Sequence, residues 1–485
     1  MKHVPQILVV LSLLFSPVTL LAADPAPQPP KEQEVVKITL HPMAETRPAG
    51  KYQILPPFLD RRPGNAAVRW NRLSADQTSF LTELNKPGGT WEKAEKWMAI
   101  PVGDPREKEF RSKEPAIDQL LKNSLYTEMD YAARFESCDW ELPLREGHFF
   151  AMLLPEVQMN RTWGRLLAAK AHGEIADKRY DDAVRTLQTS LALARHTAQA
   201  QTLIHGLVGT AIASLTTAQI ELFIQQPDAP NLYWALAMLP RPLIDYRPGI
   251  ECEMNGLVLN FTDLQDLEKK DLSKEQWTEL LGRFVREIAS LGAMTGDSGG
   301  LNQVSTMLNL VRGYPRAQQY LIDHGRKKAK VEAMPHAQVV LLYSMSLYEE
   351  LRDDQFKSMF LPYPEGKAQL ERVEATLRDR CRQEIIPMAS LLLPALKSVK
   401  QSETRMLWII ARLRIFEALR IYAAAHDGQL PERLGDIREV PIPVNPFDDQ
   451  PFTYHRDGNR AMLGVENGPP NLPWRYEVTM APKAK

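Results

Sequence analysis

The stretch PEVQMNRTWGRLLAAKAHGEIADKRYDDAVRTLQTSLALARHTAQAQTLIHGLVGTAIASLTTAQIELFIQ, residues 155–225, sets the reading of the whole chain. After Pro155, residues Trp163, Leu166, Leu167, Lys170 and Ala171 recur at steps of three and four. That spacing predicts a helix with one largely apolar face. Pro155 suits the first helical position, where its missing N–H would have no partner anyway. Asp177, Lys178 and Arg179 break the pattern, and a second helix is expected from Asp181 to His196, with Ala183, Val184, Leu187, Leu191 and Ala194 inward. Asp181 and Asp182 open it, and Arg195 and His196 close it; a helix dipole favours those signs at those ends. A third helix, Thr202 to Gln225, carries Gly206, Gly209, Ala213 and Thr217. Glycine costs about 1 kcal/mol in a helix interior, so a neighbouring helix is expected to cross closely at Gly206 and Gly209. His205, Gln219 and Glu221 interrupt the apolar run, which argues against a membrane span.

A chain of 485 residues exceeds one typical domain, and 44% hydrophobic residues suffice for a sizeable core. Lys+Arg number 59 against 60 Asp+Glu, a net charge of −1, without the basic excess of a nucleic-acid binder. At the N-terminus Lys2 and His3 precede the apolar run Ile7–Phe15, and Leu20-Leu21-Ala22-Ala23 closes it. This outlines a secretory signal peptide, residues 1–23, cut after Ala23, with an uncleaved anchor as the competing reading. The expected location is therefore the periplasm or cell surface. The only cysteines, Cys138, Cys252 and Cys381, are too few for a disulfide framework.

Residues 24–48 read as a proline-rich tether, with Pro25, Pro27, Pro29 and Pro30, followed by a short strand Val35–Leu40. Residues 49–400 read as a helical domain. Asn65 is placed to cap a short helix, and Ser273 with Gln276 has capping-box spacing. Gly249–Lys269 is expected as helix, Leu301–Val311 and Pro315–His324 as two helices, and Pro335 as the start of a long one. Residues 401–485 change character. Ser402–Ala425 is expected as a helix ended by Gly428. Phe452–His455 and Arg460–Val465 flank Asp457-Gly458, a hairpin signal, and Tyr476-Glu477-Val478 is expected to add a strand. Phe452, Tyr454, Met462 and Gly464 are expected to face the helix.

Three resemblances bear on this layout. Ala171, Tyr180, Ala183, Leu187 and Ser190 are spaced as in one tetratricopeptide helix pair, although Arg195 stands where that motif ends in proline. Ala418-Leu419-Arg420-Ile421-Tyr422, Gly428, Leu430-Pro431, Asn445-Pro446-Phe447 and Pro451-Phe452-Thr453-Tyr454 resemble the globular half of type II secretion pseudopilins. The pseudopilin stalk and processing site are missing, so the resemblance implies a fold, one helix on a short antiparallel sheet. Major pseudopilins bind calcium in a late loop. The nearby carboxylates Asp448, Asp449 and Asp457 read more simply as solvated turn residues. Pro63-Gly64-Asn65-Ala66-Ala67, Pro230-Asn231-Leu232-Tyr233-Trp234-Ala235-Leu236 and Val331-Glu332-Ala333-Met334-Pro335 resemble an uncharacterised family of exported bacterial helical proteins, which implies export and no particular activity.

Chemistry is harder to find. No His-Glu-x-x-His, Gly-x-Ser-x-Gly, Cys-x-x-Cys or phosphate-cradling Gly-rich segment occurs. Cys138 and His148 form a conceivable thiolate–imidazole pair, yet Trp140, Leu142, Phe149 and Phe150 around them suggest packing. Glu349, Glu350, Asp353 and Asp354 crowd the end of the Pro335 helix, where Glu349 and Asp353 share a face and have Arg352 and Lys357 to pair with. Tyr233, Trp234 and Trp277 are candidates for a sugar or peptide groove. The expectation is a mainly α, irregular array of helical hairpins, tetratricopeptide-like in part, with a small C-terminal α+β module. It would serve as an exported scaffold or interaction protein that binds protein, without catalytic residue, cofactor or metal. Its binding-surface candidates are Tyr233, Trp234, Glu349 and Asp353. A periplasmic hydrolase with a scattered carboxylate site, and an accessory part of an envelope secretion or assembly system, are the alternatives.

Overall fold

Asn65 carries out the capping expected of it. Its Oδ1 accepts from Ala67 N at 3.0 Å while its Nδ2 donates to Asp139 O at 2.7 Å. The helix it starts is α1 (Ala66–Asp76). The computed structural model describes residues 35–146, 149–294, 303–393, 396–469 and 473–482. The signal peptide, the proline-rich stretch before Val35, and His148 lie outside them. The described residues divide into two units, which we call composite (residues 35–141, 155–249 and 401–482) and inserted (residues 142–154 and 250–400). The segment 401–482 thus shares its unit with residues from the first half of the chain.

In the composite unit α2 (Leu125–Ala133) precedes the three central helices: α3 (Pro155–Ala176), α4 (Tyr180–Ala198) and α5 (Leu203–Ile224). Their boundaries fall within three residues of expectation because their apolar spacing and breakers are local signals. The small residues sit at the contacts. A Cβ on Gly209 would lie 2.6 Å from Ala194 O and 3.0 Å from Ala198 Cβ, so α5 crosses α4 backbone to backbone. A Cβ on Gly164 would lie 3.0 Å from Ile212. Gly206 differs from expectation, since it meets the Tyr246 ring, 2.8 Å from where its Cβ would be, outside any helix. By length and composition α5 could cross a membrane; here half of its most apolar window is buried in the protein.

The inserted unit is built on α6 (Lys274–Met294), α7 (Gln303–Asp323), α8 (His336–Phe356) and α9 (Tyr363–Cys381). Trp277, Phe284, Ile288, Leu321, Tyr343 and Tyr348 fill its core. The capping box at α6 is reciprocal, with Ser273 N to Gln276 Oε1 at 2.8 Å and Gln276 N to Ser273 Oγ at 3.2 Å. The two helices expected around Pro315 are one, with Pro315 inside α7. Proline cannot donate to the carbonyl four residues back; that carbonyl belongs to Val311, an exposed residue where water can serve it. Gly325, at φ +89°, follows α7, and Arg326 N donates to Leu321 O at 3.1 Å. Gly249–Lys269, expected as one helix, breaks into Arg247–Met254, Gly256–Asn260 and two short turns, with Asp266 left-handed between them at φ +54°.

The chain then returns to the composite unit along α10 (Leu396–Ala425), which ends as Gly428, at φ +78°, donates to Ala423 O at 2.8 Å. The strands, in chain order, are β1 (Val35–Leu40), β2 (Arg62–Asn65), β3 (Phe135–Ser137), β4 (Thr453–Asp457), β5 (Arg460–Gly464) and β6 (Arg475–Met480). β2 and β3 form a short parallel pair. The others form one sheet in the order β1-β6-β5-β4. β4, β5 and β6 are antiparallel as expected, but β1 joins β6 in parallel, Val35 opposite Arg475. Asp457 pairs with Arg460, so the hairpin turn is Gly458-Asn459. Ala461 and Leu463, opposite Arg456 and Tyr454, lie inside and Met462, opposite His455, is exposed, one residue out of phase with expectation. α10 covers the sheet. Trp408 stacks on Phe452 with centroids 6.5 Å apart, and Phe416 meets Tyr476 edge-on at 5.7 Å. Burying each such side chain contributes about 1.5–3 kcal/mol.

Candidate functional site

The four nominated residues fall in different units, Tyr233 and Trp234 in the composite one, Glu349 and Asp353 in the inserted one. Tyr233 is fully buried and offers no surface. Its hydroxyl donates to Pro441 O and accepts from Arg414 Nη2, so it fastens the chain after α10. Half-buried Trp234 donates its Nε1–H to Glu45. Trp277 is core. Glu349 and Asp353 do share a face of α8, both exposed, and partial burial raises the Glu349 carboxyl from its usual range. Asp353 accepts from Arg352 Nε at 2.8 Å, while Arg380 and Lys357 hold Glu350 and Asp354. This is an ion-paired helix end.

Three imidazoles, His172, His196 and His205, and two thiols, Cys138 and Cys252, are enclosed. His196 Nε2 lies 2.9 Å from Phe135 O, to which it must donate, and its Nδ1 accepts from Trp70 Nε1 at 3.3 Å. Burial lowers its pKa to about 4, so it stays neutral. Cys138 is buried and free, and burial pushes its thiol far up. A hydroxyl–imidazole–carboxylate chain that the sequence reading missed runs from Thr202 Oγ1 to His205 Nδ1 (2.8 Å) and from His205 Nε2 to Glu156 Oε1 (3.0 Å). The residue types are those of an activated nucleophile. However, Thr202 is buried and is the N-cap of α5, accepting from His205 N. The spacing Thr-x-x-His was its signal, and its work is to start a helix. Among the described residues no cluster of three or more His, Cys, Asp or Glu is placed to hold a metal. Asp448, weighed for calcium, has its carboxylate filled by Asn445 Nδ2, Gln450 N and Asn467 Nδ2. A cavity of 360 Å³ beside Ile100, Arg106 and Phe110 has its charges already spent, Arg106 on Asp104 and Lys113 on Glu109.

One feature points outward. Pro56-Pro57-Phe58-Leu59-Asp60-Arg61 makes a single 3-10 turn, Phe58–Asp60, ahead of β2. Leu59 is 92% exposed and Phe58 74%, and neighbouring α1 adds Val68 at 62%. The turn is braced on both sides. Arg61 Nε donates to Pro56 O at 3.0 Å and Arg62 N to Arg134 O at 2.8 Å. Before it, Gln188 Nε2 donates to Gln53 O at 2.8 Å and Tyr52 to Asp181 at 2.8 Å, which with burial pushes the Tyr52 pKa up to about 12. Buried Arg134 anchors this frame through Gln188 at 2.9 Å and Asp130 at 2.5 Å.

Arginines surround the turn. Arg62 and Arg69 lie over the Tyr131 ring at 4.9 and 5.2 Å. Arg195 on α4 has its pKa lowered by burial and by the charge of Arg61. None of Arg61, Arg62, Arg69 and Arg195 forms an ion pair among the described residues. Asp60 lies 3.7 Å from Arg134. Sequence reading passed over this site because nothing local tells an exposed Phe-Leu from a buried one; the prolines on either side were the available hint. Compared with protein-family models, curated proteins and solved structures, the chain finds no match.

Proposed function

We propose that the chain is an exported, mainly helical scaffold or interaction protein of the bacterial cell envelope, and that it makes contact through the Phe58–Leu59 turn. The observation that carries this is a rigid turn holding Leu59 at 92% exposure. Leaving a Phe and a Leu in water forgoes about 1.5–3 kcal/mol each. A braced apolar pair also loses little conformational freedom on binding, the economy expected of a hot spot. Export rests on Lys2, the Ile7–Phe15 run and Ala22-Ala23. A hydrolase is the weaker reading, since the buried histidines and thiols are committed to packing. The accessory role in an envelope secretion or assembly system draws on α10 lying across the sheet, the arrangement that the pseudopilin resemblance implies.

The test is a photo-crosslinking amino acid at position 59 in intact cells, with Val311, 76% exposed, as control. An adduct, protein or lipid, specific to position 59 is expected. Labelling no stronger than at 311 would remove the contact reading.

A further inference from the structure

We infer that the Phe58–Leu59 turn docks on an anionic lipid surface, with the apolar pair entering the interface and the surrounding arginines meeting the headgroups. This rests on the reading of the turn as the contact site. The turn is a knob and not a groove: at 92% exposure, Leu59 has almost no wall of protein beside it. An extended peptide would need a cleft to lie in, whereas a bilayer interface closes around a protruding side chain by itself. Charge complementarity supplies the second observation. Among the described residues Arg61, Arg62, Arg69 and Arg195 have no carboxylate partner, and Arg62 and Arg69 lie over the Tyr131 ring at 4.9 and 5.2 Å. The carboxylates of the same frame are Asp60, 3.7 Å from Arg134, Asp130, held by Arg134 and Arg185, Asp139 beside Asn65, and Glu136 on β3. Prolines 56, 57 and 63 and the Arg62–Arg134 hydrogen bond hold the turn in the shape that would insert.

The probe is the full mature chain with vesicles of phosphatidylglycerol and phosphatidylethanolamine, against vesicles of phosphatidylcholine alone. Binding to the anionic vesicles only is expected, weakening as salt rises. Phe58→Ser with Leu59→Ser should weaken it about tenfold or more. Arg62→Gln with Arg69→Gln should weaken it about twenty-five-fold at low salt, roughly fivefold for each charge, and flatten the salt dependence. Phe58, Leu59 and Arg62 are exposed and Arg69 is partly buried, so an unchanged Tm serves as the folding control. An environment-sensitive dye on Leu59→Cys, in a Cys381→Ser background because Cys138 and Cys252 are buried, should shift to the blue on the anionic vesicles. The inference is overturned by equal binding to both vesicle types, by absence of binding, or by variants that bind as wild type does. If vesicles are ignored while position 59 crosslinks to an envelope protein in cells, the lipid assignment falls and the contact reading stands. If position 59 also captures nothing, both fall.

Discussion

Arg420 is a severe test of how the composite unit is held together. It and Glu417, one turn earlier on α10, are both completely buried. Arg420 donates to Glu417 at 2.9 Å, to His41 O at 3.0 Å and to Ala229 O at 2.6 Å. Glu417 also accepts from Asn231 Nδ2 at 2.6 Å and from Leu232 N at 2.7 Å. One guanidinium and one carboxylate thus join the segment after β1, the loop after α5, and α10. Arg420→Met would leave a buried carboxylate without its counter-charge and two carbonyls without donors. Breaking a buried pair in this way costs about 3–5 kcal/mol, a large share of the roughly 5–15 kcal/mol that keeps a domain folded. Glu417→Gln should cost a similar amount by stranding the guanidinium. The double variant should cost less than the sum, with a coupling of about 2 kcal/mol or more. Urea unfolding of the four proteins, followed by tryptophan fluorescence, measures this. A loss under about 1 kcal/mol for Arg420→Met, or strictly additive singles, would refute the account of a single charged knot.

Three further outcomes are expected. Gly209→Leu should cost about 3 kcal/mol, the upper end for overpacking, because a carbonyl oxygen and not a movable side chain occupies the space; an unchanged Tm would show that α4 and α5 do not touch there. His196 and His172 both have pKa values lowered by burial to about 4. The unfolded chain therefore binds more protons between about pH 6.5 and 4, so their share of stability is complete above pH 6.5 and is lost as the pH falls through that window, up to about 3 kcal/mol each; His196→Gln should flatten this slope, and an unaltered slope would exclude His196 as its source. Deleting residues 35–40 should expose Val478 and Met480 at a new sheet edge and make residues after Ala425 sensitive to protease at concentrations the intact chain resists, whereas unchanged digestion would show that β1 does not support the sheet.

What could be read in advance depended on range. α3, α4 and α5, the Asn65 cap and the Ser273 box are set by residues within a turn or two of one another, and they stand where the spacing put them. The hairpin partners were legible for the same reason, but its phase was not. The turn at Gly458-Asn459 in place of Asp457-Gly458 slides the pairing by two residues and leaves its parity alone; Met462 faces out because it stands opposite His455, while Leu463 stands opposite Tyr454. The parallel pairing of β1 with β6 leaves no local trace at all, nor does the Arg420 knot, whose partners come from three distant segments. Tyr233 shows the limit for sites: an aromatic on a short helix fits core and groove alike, and only Pro441 and Arg414 decide it. The Phe58–Leu59 turn failed in the opposite direction, since apolar residues are expected inside and their exposure is a property of the whole surface.

The sheet has a kinetic consequence. Val35 is made some 440 residues before its partner Arg475. Until β6 exists, β1 is an apolar strand with no neighbour, open to any other strand of matching length. Contacts this distant in sequence form slowly, and the composite unit cannot be finished while the chain is still being made or threaded. The inserted unit has its own core within Ile250–Lys400 and no such debt. The order of folding is therefore set by topology: the middle of the chain can settle early, and the two ends meet last.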